Sequence, residues 1–560
     1  MSESPHSPVA PIAETQADRR FEQLVQGRFE RLVRDYPIFA TYLGIHTEDH
    51  RLANGTRDAV EQGIKDDRAF LAAVEALDTT ELSEGTRFER ELALHAVRRS
   101  LFDDEEHRTW ERRTSAMDEV GDGLFLILAR DFAPLPERLD SMTARLEQAP
   151  RVTEEHKTRL GDRPVRLWNE LELDSARQMP SLFDEIVAAG RGAWHAGSAE
   201  LRRLEAASDR AKAAIVDYAG WLSQQLGRAG DDFPLGRERY DRLVELRAFD
   251  GLSTDQILAI GEQQLADCKK ARADVARRID PDVPEPEVLD RVKSDHPASF
   301  EEALEGYRDA MFRARQHILD RDLATLPPGE RLSVIPTPEY LRHLMPFAAY
   351  FQPPKFDERP AGIYVVTPSV DGDPGAMREH NRSSISNTSI HEAYPGHHLQ
   401  LSAAITQPSI TRLMVDAPEF VEGWGMYCEQ MMREQGFDDS PQHLLIMYTD
   451  AIWRACRIIL DVRLHRGEIG VPEAIDFLVE HTGFERPNAT AEVNRYTYTP
   501  TYQLSYLLGK VMLLRLREDE RRRLGDAFSL KRFHDTLLYA GSLPISFQRR
   551  VLQRELPAAG

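Results

Sequence analysis

Apolar residues recur at helical spacing along most of the chain. Within residues 17–36 they follow an i, i+3, i+4 pattern that predicts an amphipathic helix ending before Pro37. Turn signals such as Asp280-Pro281 and Pro327-Pro328-Gly329 separate the apolar stripes further along. We therefore predict a mostly α fold. The other helical stripes lie near 57–77, 85–102, 136–148, 183–226, 254–279 and 299–320.

One stretch departs from the helical pattern. Residues 331–336 and 363–367 look like short strands, and residues 347–352 form a third candidate. We expect a small β-sheet that comes just before the motif at 391–400. An edge strand there could pair with an extended peptide backbone, although a purely structural sheet is the alternative.

The charge and cysteine content narrow the class of protein. The net charge is −22, from 71 Lys and Arg against 93 Asp and Glu. This argues against nucleic acid as the main partner, because phosphate binding needs a basic surface. The three cysteines form no CxxC pair, and neither a signal peptide nor an apolar run of about 18 residues is seen. We expect a cytoplasmic protein without a membrane partner, and its oligomeric state is open.

The most informative motif is the decamer at 391–400, which begins His391-Glu392. A hydrolytic zinc site needs three protein ligands and an open position for water. The glutamate next to the first histidine is free to act as general base on that water. In the common H-E-x-x-H motif both imidazoles share one helix face, but here the next histidines stand six and seven residues on.

His397 and His398 are the candidates for the second imidazole ligand. In a regular helix, neither imidazole could bind the same metal ion as His391. Pro395 and Gly396 offer a solution, because a broken turn there could bring His397 to the metal. We favour His397, which directly follows this pair, and leave His398 as the alternative. The alternative to a metal site is a helix that ends at Tyr394, followed by a turn that carries two unrelated surface histidines.

The third ligand is sought in the segment 420–429. Glu422 and Glu429 are seven residues apart and share a face if the segment is helical. Glu422 precedes a glycine, which allows close helix packing, and is our choice for the ligand. Glu429 is predicted to orient an imidazole from behind. An ordinary solvated glutamate is the alternative.

A tyrosine-rich segment at 495–510 could stabilise an oxyanion. Thr499 as N-cap and Pro500 at the first helical position predict a helix start, which would place Tyr502 and Tyr506 on one face. Tyr506 is our first candidate for the catalytic electrophile, and a packing seam is the alternative. The predicted substrate-binding residues are Arg495, Tyr496, Tyr502 and Gln503.

Three polar residues interrupt an apolar helical segment further upstream. Arg454, Asp461 and His465 stand at i, i+7 and i+11. Buried polar groups on such a helix must be paired. They either line the site or form a structural ion-pair network. His465 is predicted, with His398, to support the metal ligands.

Together these segments resemble the bacterial domain-of-unknown-function family 885. Its patterns H-E-x-x-P-G-H-x-x-Q and E-G-W-x-x-Y-x-E stand at 391–400 and 422–429. A third pattern is present in part within 495–509, where Thr501-Tyr502-Gln503-Leu504 replaces Gly-Gln-Ala. Passages at 36–44 and 359–364 are also alike, so the resemblance covers nearly the whole chain.

This family is similar to the mostly helical zincin peptidases of the angiotensin-converting-enzyme and thermostable-carboxypeptidase types. The resemblance implies one Zn²⁺ ion, with His391, His397 and Glu422 as ligands and Glu392 as base. It also implies a two-lobed fold around a deep cleft. We predict a disordered tail at 1–16, a helical lobe at 17–330 and an interleaved zinc-site lobe at 331–560.

Three functions are compatible with these motifs. The first is a zinc metallopeptidase acting on short peptides, and the second is a zinc amidase or esterase acting on a non-peptide small molecule. The third is a helical binding protein with an inactive site. The sequence contains no GxSxG elbow, Walker A loop or GxGxxG fingerprint.

Overall fold

Helices make up most of the computed structural model, which describes residues 15–338, 342, 348–368 and 376–557. The first helices, α1 to α13, are Gln16–Asp35, Pro37–Leu43, Arg57–Glu75, Glu84–Phe102, Thr109–Arg112, Ala116–Ala129, Leu135–Arg159, Arg166–Ala193, Ala199–Gln225, Arg237–Arg247, Thr254–Ile279, Glu285–Lys293 and Phe300–Asp320. The others, α14 to α23, are Arg382–Glu392, His397–Ala404, Ile410–Leu413, Pro418–Glu434, Pro441–His465, Val471–Thr482, Arg486–Tyr496, Leu507–Leu524, Leu530–Tyr539 and Ile545–Glu555.

Shorter helical turns connect some of these elements. A π-helix, Asp103–His107, follows α4. The 3₁₀ turns are His46–Glu48, Leu226–Arg228, Ala376–His380, Tyr502–Leu504 and Gly525–Ala527.

The helical periodicity predicts the observed helices well. The first helix begins with a capping box formed by Thr15 and Asp18, and it ends at Asp35, before Pro37. The stripe at 254–279 corresponds to α11 at both ends. The single stripe at 183–226 proves to be the end of α8 followed by α9, because the chain leaves the helix after Ala193 and Ser198 caps a new one.

The predicted sheet is present and has three strands in the order β1-β3-β2. The strands β1 (Leu332–Pro336) and β3 (Gly362–Val366) pair in parallel, and β2 (Ala348–Phe351) pairs antiparallel with β3. All of β3 is buried, whereas β2 is half-buried and stands at an edge of the described sheet. Residue 347 of the predicted third strand lies outside the described residues.

Two large apolar clusters form the interior. The larger is built mainly from residues after 230 and includes β3, α14, α17 and α21. The second is built mainly from α6 to α9. The division into lobes at residue 330 stays a prediction, and residues 1–14 of the predicted tail lie outside the described residues. None of the described helices has the length and apolar character needed to span a membrane.

Helix α17 is the centre of the region that carries the motifs, because it packs against α14, α15 and α21. Its contact with α21 is close: a Cβ at Gly423 would lie 2.6 Å from the backbone carbon of Gly509. The close packing expected beside Glu422 is therefore observed.

Candidate metal centre

The helix that carries His391 is interrupted where Pro395 and Gly396 predict. Helix α14 ends at Glu392, Ala393 has φ −106° and ψ −90°, and α15 begins at His397. A side chain at Gly396 is excluded, because its Cβ would lie 1.8 Å from the carbonyl oxygen of His391. The break brings the rings of His391 and His397 to a centroid separation of 4.7 Å.

Three donor groups converge beside this break. Ligand atoms of His391, His397 and Glu422 all lie within 4.8 Å of one another. The Nε2 atoms of the two imidazoles are 3.7 and 3.4 Å from Oε2 of Glu422. Two atoms bound to one zinc ion at about 2.0–2.2 Å in tetrahedral geometry stand roughly 3.3–3.5 Å apart, so the donor set fits a shared metal ion.

The electrostatics of the group also favour a cation. Burial lowers the pKa of His391, but contacts with Glu422 and Glu429 outweigh burial and raise it to about 10. Burial raises the pKa of Glu422, but the two imidazoles hold it well below its usual range. The chain without a metal therefore keeps a proton, and so a positive charge, within the group.

His391 is held from behind, as predicted for Glu429. Its Nδ1 lies 2.8 Å from Oε1 of Glu429, and Asn387 donates to the other carboxylate oxygen over 3.0 Å. The ring also lies against Gly425, where a Cβ would come within 2.7 Å of it. These contacts fix the orientation of the ring, with Nε2 turned to Glu422.

His398 faces away from the three donors. Its Nδ1 lies 2.9 Å from the hydroxyl of Tyr350, and its Nε2 lies 3.0 Å from Oε2 of Glu330. The side chain is fully buried, and Tyr394 donates a further hydrogen bond to the same Glu330 carboxylate. The ring of Tyr350 in turn lies nearly parallel to that of His397, at 6.4 Å. His398 thus supports the wall behind His397.

Glu392, the predicted base, is the last residue of α14 and is half-buried. Its charge acts on the buried imidazole of His391 and the phenol of Tyr364. Its carboxylate forms no hydrogen bond with the residues that the structure describes. A carboxylate next to a metal ligand and without a protein partner is suited to accept a proton from a water molecule.

The tyrosine segment folds differently from the prediction. A helix beginning at Thr499 and Pro500 is wrong: Thr501 is left-handed with φ 69°, a 3₁₀ turn follows, and α21 begins only at Leu507. The backbone N–H of Thr501 donates to the buried carboxylate of Asp461 over 3.2 Å, which holds this irregular turn.

Tyr502 nevertheless contacts the donor group, and Tyr506 lies next to Tyr502. The Tyr502 hydroxyl donates to Oε1 of Glu422 over 2.8 Å, and its ring meets that of Tyr506 edge-on at 5.9 Å. Both are half-buried. The guanidinium carbon of Arg457 lies 4.6 Å from the Tyr506 ring centroid. Burial and the charge of Glu422 raise the pKa of Tyr506, which keeps its hydroxyl a proton donor.

Tyr496 is part of a buried network next to these residues. Its hydroxyl donates to Glu492 over 2.6 Å and accepts from Arg457 at 3.1 Å. Glu492 also pairs with Arg457 at 2.7 Å and with half-exposed Arg495 at 3.2 Å. Despite burial, the two guanidinium groups lower the pKa of Glu492 to about 2. One carboxylate thus serves two arginines, so the network of Arg457, Arg495 and Glu492 carries an excess of positive charge.

The remaining predicted residues brace the turn. Buried Gln503 donates to the Thr499 hydroxyl over 2.6 Å, and buried His465 contacts the Tyr496 carbonyl oxygen over 3.0 Å. His465 is also 3.5 Å from Asp461, whereas Arg454 lies over the ring of Trp453. Gln503 and His465 therefore contact the 496–503 segment, and a role of these residues in substrate binding stays a prediction.

Several residues at the site were not predicted. Asn387 stands four residues before His391, so helical spacing alone could have placed it on the same face. Glu330 and Tyr350 are distant in sequence from the motif and carry no local signal. Arg457 is visible only as a charge within an apolar helical segment, and Glu492 only as one charge within the polar helix α20.

The fold and the donor set define a mostly helical protein with a His-His-Glu group able to bind a metal ion. The chain belongs to the family DUF885, described as bacterial protein of unknown function, whose sequence pattern matches residues 37–552. No curated protein matches the chain.

Two solved structures share the fold. One is a candidate lipoprotein of unknown function from Shewanella oneidensis, with 23% identity and a TM-score of 0.77 over 95% of this chain and 99% of that one. The other is a candidate lipoprotein from Colwellia psychrerythraea, with 18% identity and a TM-score of 0.83 over 97% of this chain and 100% of that one. These likenesses establish the fold alone.

Proposed function

We propose that the protein is a zinc-dependent metallopeptidase that cleaves short peptides in a cleft between two lobes. The observation that carries the proposal is the convergence of His391, His397 and Glu422 within 4.8 Å, with Glu392 next in sequence to the first ligand. Two imidazoles and one carboxylate with an open fourth position are the ligand set of catalytic zinc in peptidases.

We infer the role of each residue in the proposed reaction from its contacts. When bound, zinc would polarise the scissile carbonyl and lower the pKa of a water molecule at its open position. Glu392 accepts the proton of the attacking water and delivers it to the leaving amine. Tyr506 donates a hydrogen bond to the oxyanion, and the positive charge of Arg457 and Arg495 beside it favours the same charge development.

The position of the sheet favours a peptide as the substrate. Strand β2 carries Tyr350, whose ring lies along that of His397, and β2 is an edge strand of the described sheet. An extended peptide pairing with this strand would run close to the metal centre. The half-exposed Arg495 and Tyr502 are proposed to contact such a substrate.

The test combines metal analysis with activity. The purified protein is expected to hold one zinc ion per chain and to cleave members of a short-peptide library. Glu392→Gln should retain the zinc and lose activity by about 10²-fold or more. Activity on acyl-amide or ester libraries alone would favour the amidase alternative. A zinc-free protein without activity would favour a binding protein, and a fully active Glu392→Gln would refute the mechanism.

We also propose a cytoplasmic location, on the basis of the free cysteines Cys268, Cys428 and Cys456, all of which are buried. The solved relatives are candidate lipoproteins, which points to the cell envelope for those proteins. Fractionation of the native host, with detection of this chain in the cytoplasmic or the membrane fraction, decides between the two.

A further inference from the structure

A cavity of about 560 Å³ shares none of its lining residues with the candidate metal centre. We call it the arginine cavity. A concentration of guanidinium groups is unexpected in a chain of net charge −22. Its cationic or imidazole lining residues are Arg57, Arg108, Arg112, Arg163, Arg239 and His107.

Three of these arginines form no close ion pair with a carboxylate among the described residues. The Arg112 guanidinium donates to the backbone carbonyl of Asp232. That of Arg239 donates to the backbone carbonyls of Leu235 at 2.8 Å and Glu106 at 3.4 Å. Arg163 is exposed at the rim. Backbone carbonyls orient a guanidinium group but leave its charge uncompensated.

The lining carboxylates compensate this charge only in part. Glu111 is already paired with Arg57 at 3.1 Å and Arg108 at 2.6 Å. Glu106 is paired with Arg242 at 2.5 Å, outside the cavity lining. The remaining acidic lining residues, Asp162 and Asp232, are exposed and form no ion pair with described residues.

One buried polar group in the wall of the cavity is unsatisfied. His107 is 4% exposed, and its Nε2 has no hydrogen-bond partner among the described residues. The Arg112 guanidinium lies 5.0 Å from the ring of Trp168, against which His107 also packs. Burial lowers the pKa of Arg112, and the charges of Arg239 and Arg163 act in the same direction, against the opposing charges of Asp232 and Glu111. A bound anion would relieve this repulsion.

The backbone around His107 is constrained. The π-helix Asp103–His107 ends at Arg108, which has a left-handed φ of 54°. Both features are uncommon for these residue types and concentrate at functional sites. They hold His107 and Arg108 in the cavity wall.

We propose that the arginine cavity binds a phosphate group, either free phosphate or the phosphate of a small molecule. Arginine forks match the oxygen geometry of phosphate, and the volume suits a ligand of small-molecule size. Arg112, Arg163 and Arg239 supply the charge, and the imidazole of His107 forms part of the wall beside them. This site is independent of the hydrolase activity proposed above.

The test is calorimetric titration of the full chain at constant ionic strength with inorganic phosphate, AMP and adenosine. One saturable site for phosphate or AMP is expected, and none for adenosine. Tighter binding of phosphate indicates the free anion, and tighter binding of AMP indicates a phosphorylated small molecule.

Because a bound metal also attracts phosphate, arginine variants decide the location. Arg163→Gln and Arg239→Gln, both at exposed positions, should weaken binding about tenfold or more, as expected for loss of a charge-assisted contact. The matched variant Arg486→Gln, at the exposed first residue of α20, should bind as the wild type does. Absence of saturable binding, or unchanged affinity in the two cavity variants, would overturn the proposal.

Discussion

The Nδ1 atom of His391 lies 2.8 Å from the carboxylate of Glu429, so that only its Nε2 is left to face Glu422. A carboxylate in this position fixes the tautomer and the orientation of a metal-binding imidazole. Asn387 fixes the carboxylate in turn, through its donated hydrogen bond of 3.0 Å. The order of the ligand group thus depends on residues that do not themselves belong to it.

Loss of the Glu429 carboxylate should weaken the metal site without removing a ligand. We expect Glu429→Gln to lower zinc affinity by about 10–100-fold, as is typical for outer contacts of metal ligands. Competition with a chelator of known affinity measures this. Glu434→Gln on the same helix, where the native carboxylate pairs with Arg517, is the matched control and should leave affinity unchanged. Equal affinities of the Glu429 variant and the wild type would contradict the assigned role.

The two adjacent histidines should behave oppositely. His397→Gln removes a donor that lies 3.4 Å from Glu422, so its loss of zinc should exceed the roughly 10–100-fold expected for an outer contact. His398→Gln should keep one zinc per chain and instead lose about 1–3 kcal/mol of stability, because its partners Glu330 and Tyr350 each lose one buried hydrogen bond. Metal content and urea unfolding of both variants test this pair. The reverse pattern would make His398 the ligand.

Gly425 should be intolerant of a methyl group. The Cβ of Gly425→Ala would lie 2.7 Å from the His391 ring and displace it from the metal. We expect a loss of zinc affinity that exceeds any change in fold content by circular dichroism. Gly192→Ala provides the control, because that glycine also lies in a helix but has open space around it. There the substitution should be neutral or stabilise by about 0.4–1 kcal/mol. Wild-type zinc affinity in Gly425→Ala would show that the ring can move without cost.

We expect the hydroxyl groups of Tyr506 and Tyr496 to differ in their effect on catalysis. Tyr506→Phe should lower kcat by about 10²–10³-fold if its hydroxyl stabilises the oxyanion. Tyr496→Phe should change kcat little, since the Tyr496 hydroxyl is fully engaged with Glu492 and Arg457. Steady-state kinetics on the peptide found in the library screen measures both. A larger effect at Tyr496 than at Tyr506 would exchange their roles.

The sequence predicts the parts of this site that rest on local rules. The break between Glu392 and His397 follows from Pro395 and Gly396, and helix packing at Gly423 follows from the glycine itself. In both cases the residues that carry the signal lie within a few positions of the structural feature that they predict.

The rest depends on long-range contacts. Thr499-Pro500 is a good local helix start, but Asp461 captures the N–H of Thr501 and holds a left-handed residue there. The partner of His398, Glu330, is 68 residues away in the chain. Contacts between residues so far apart in the sequence leave no local pattern. The wall behind His397 could therefore not be predicted.

His46 offers a test of the structure that is independent of the metal. Its imidazole lies 2.8 Å from Asp49 and 2.9 Å from Asp357, and thereby ties the turn after α2 to the loop after β2. Burial lowers the pKa of His46, but the two carboxylates outweigh burial and raise it from 6.5 to about 9. A raised pKa in the folded state means that folding is favoured by the protonated form. The resulting stability is fully present below about pH 6.5 and is lost as the pH rises through about 9.

We therefore expect His46→Gln to destabilise the protein by about 1–3 kcal/mol at pH 6, a range set below the full value of the pKa shift because the side chain is 29% exposed. The difference from the wild type should shrink between pH 7.5 and pH 10. Urea unfolding across this range measures the difference. His50→Gln, at a nearby exposed histidine, should show no such dependence. A difference between His46→Gln and the wild type that is constant with pH would mean that neutral hydrogen bonds, and no ion pair, hold this loop.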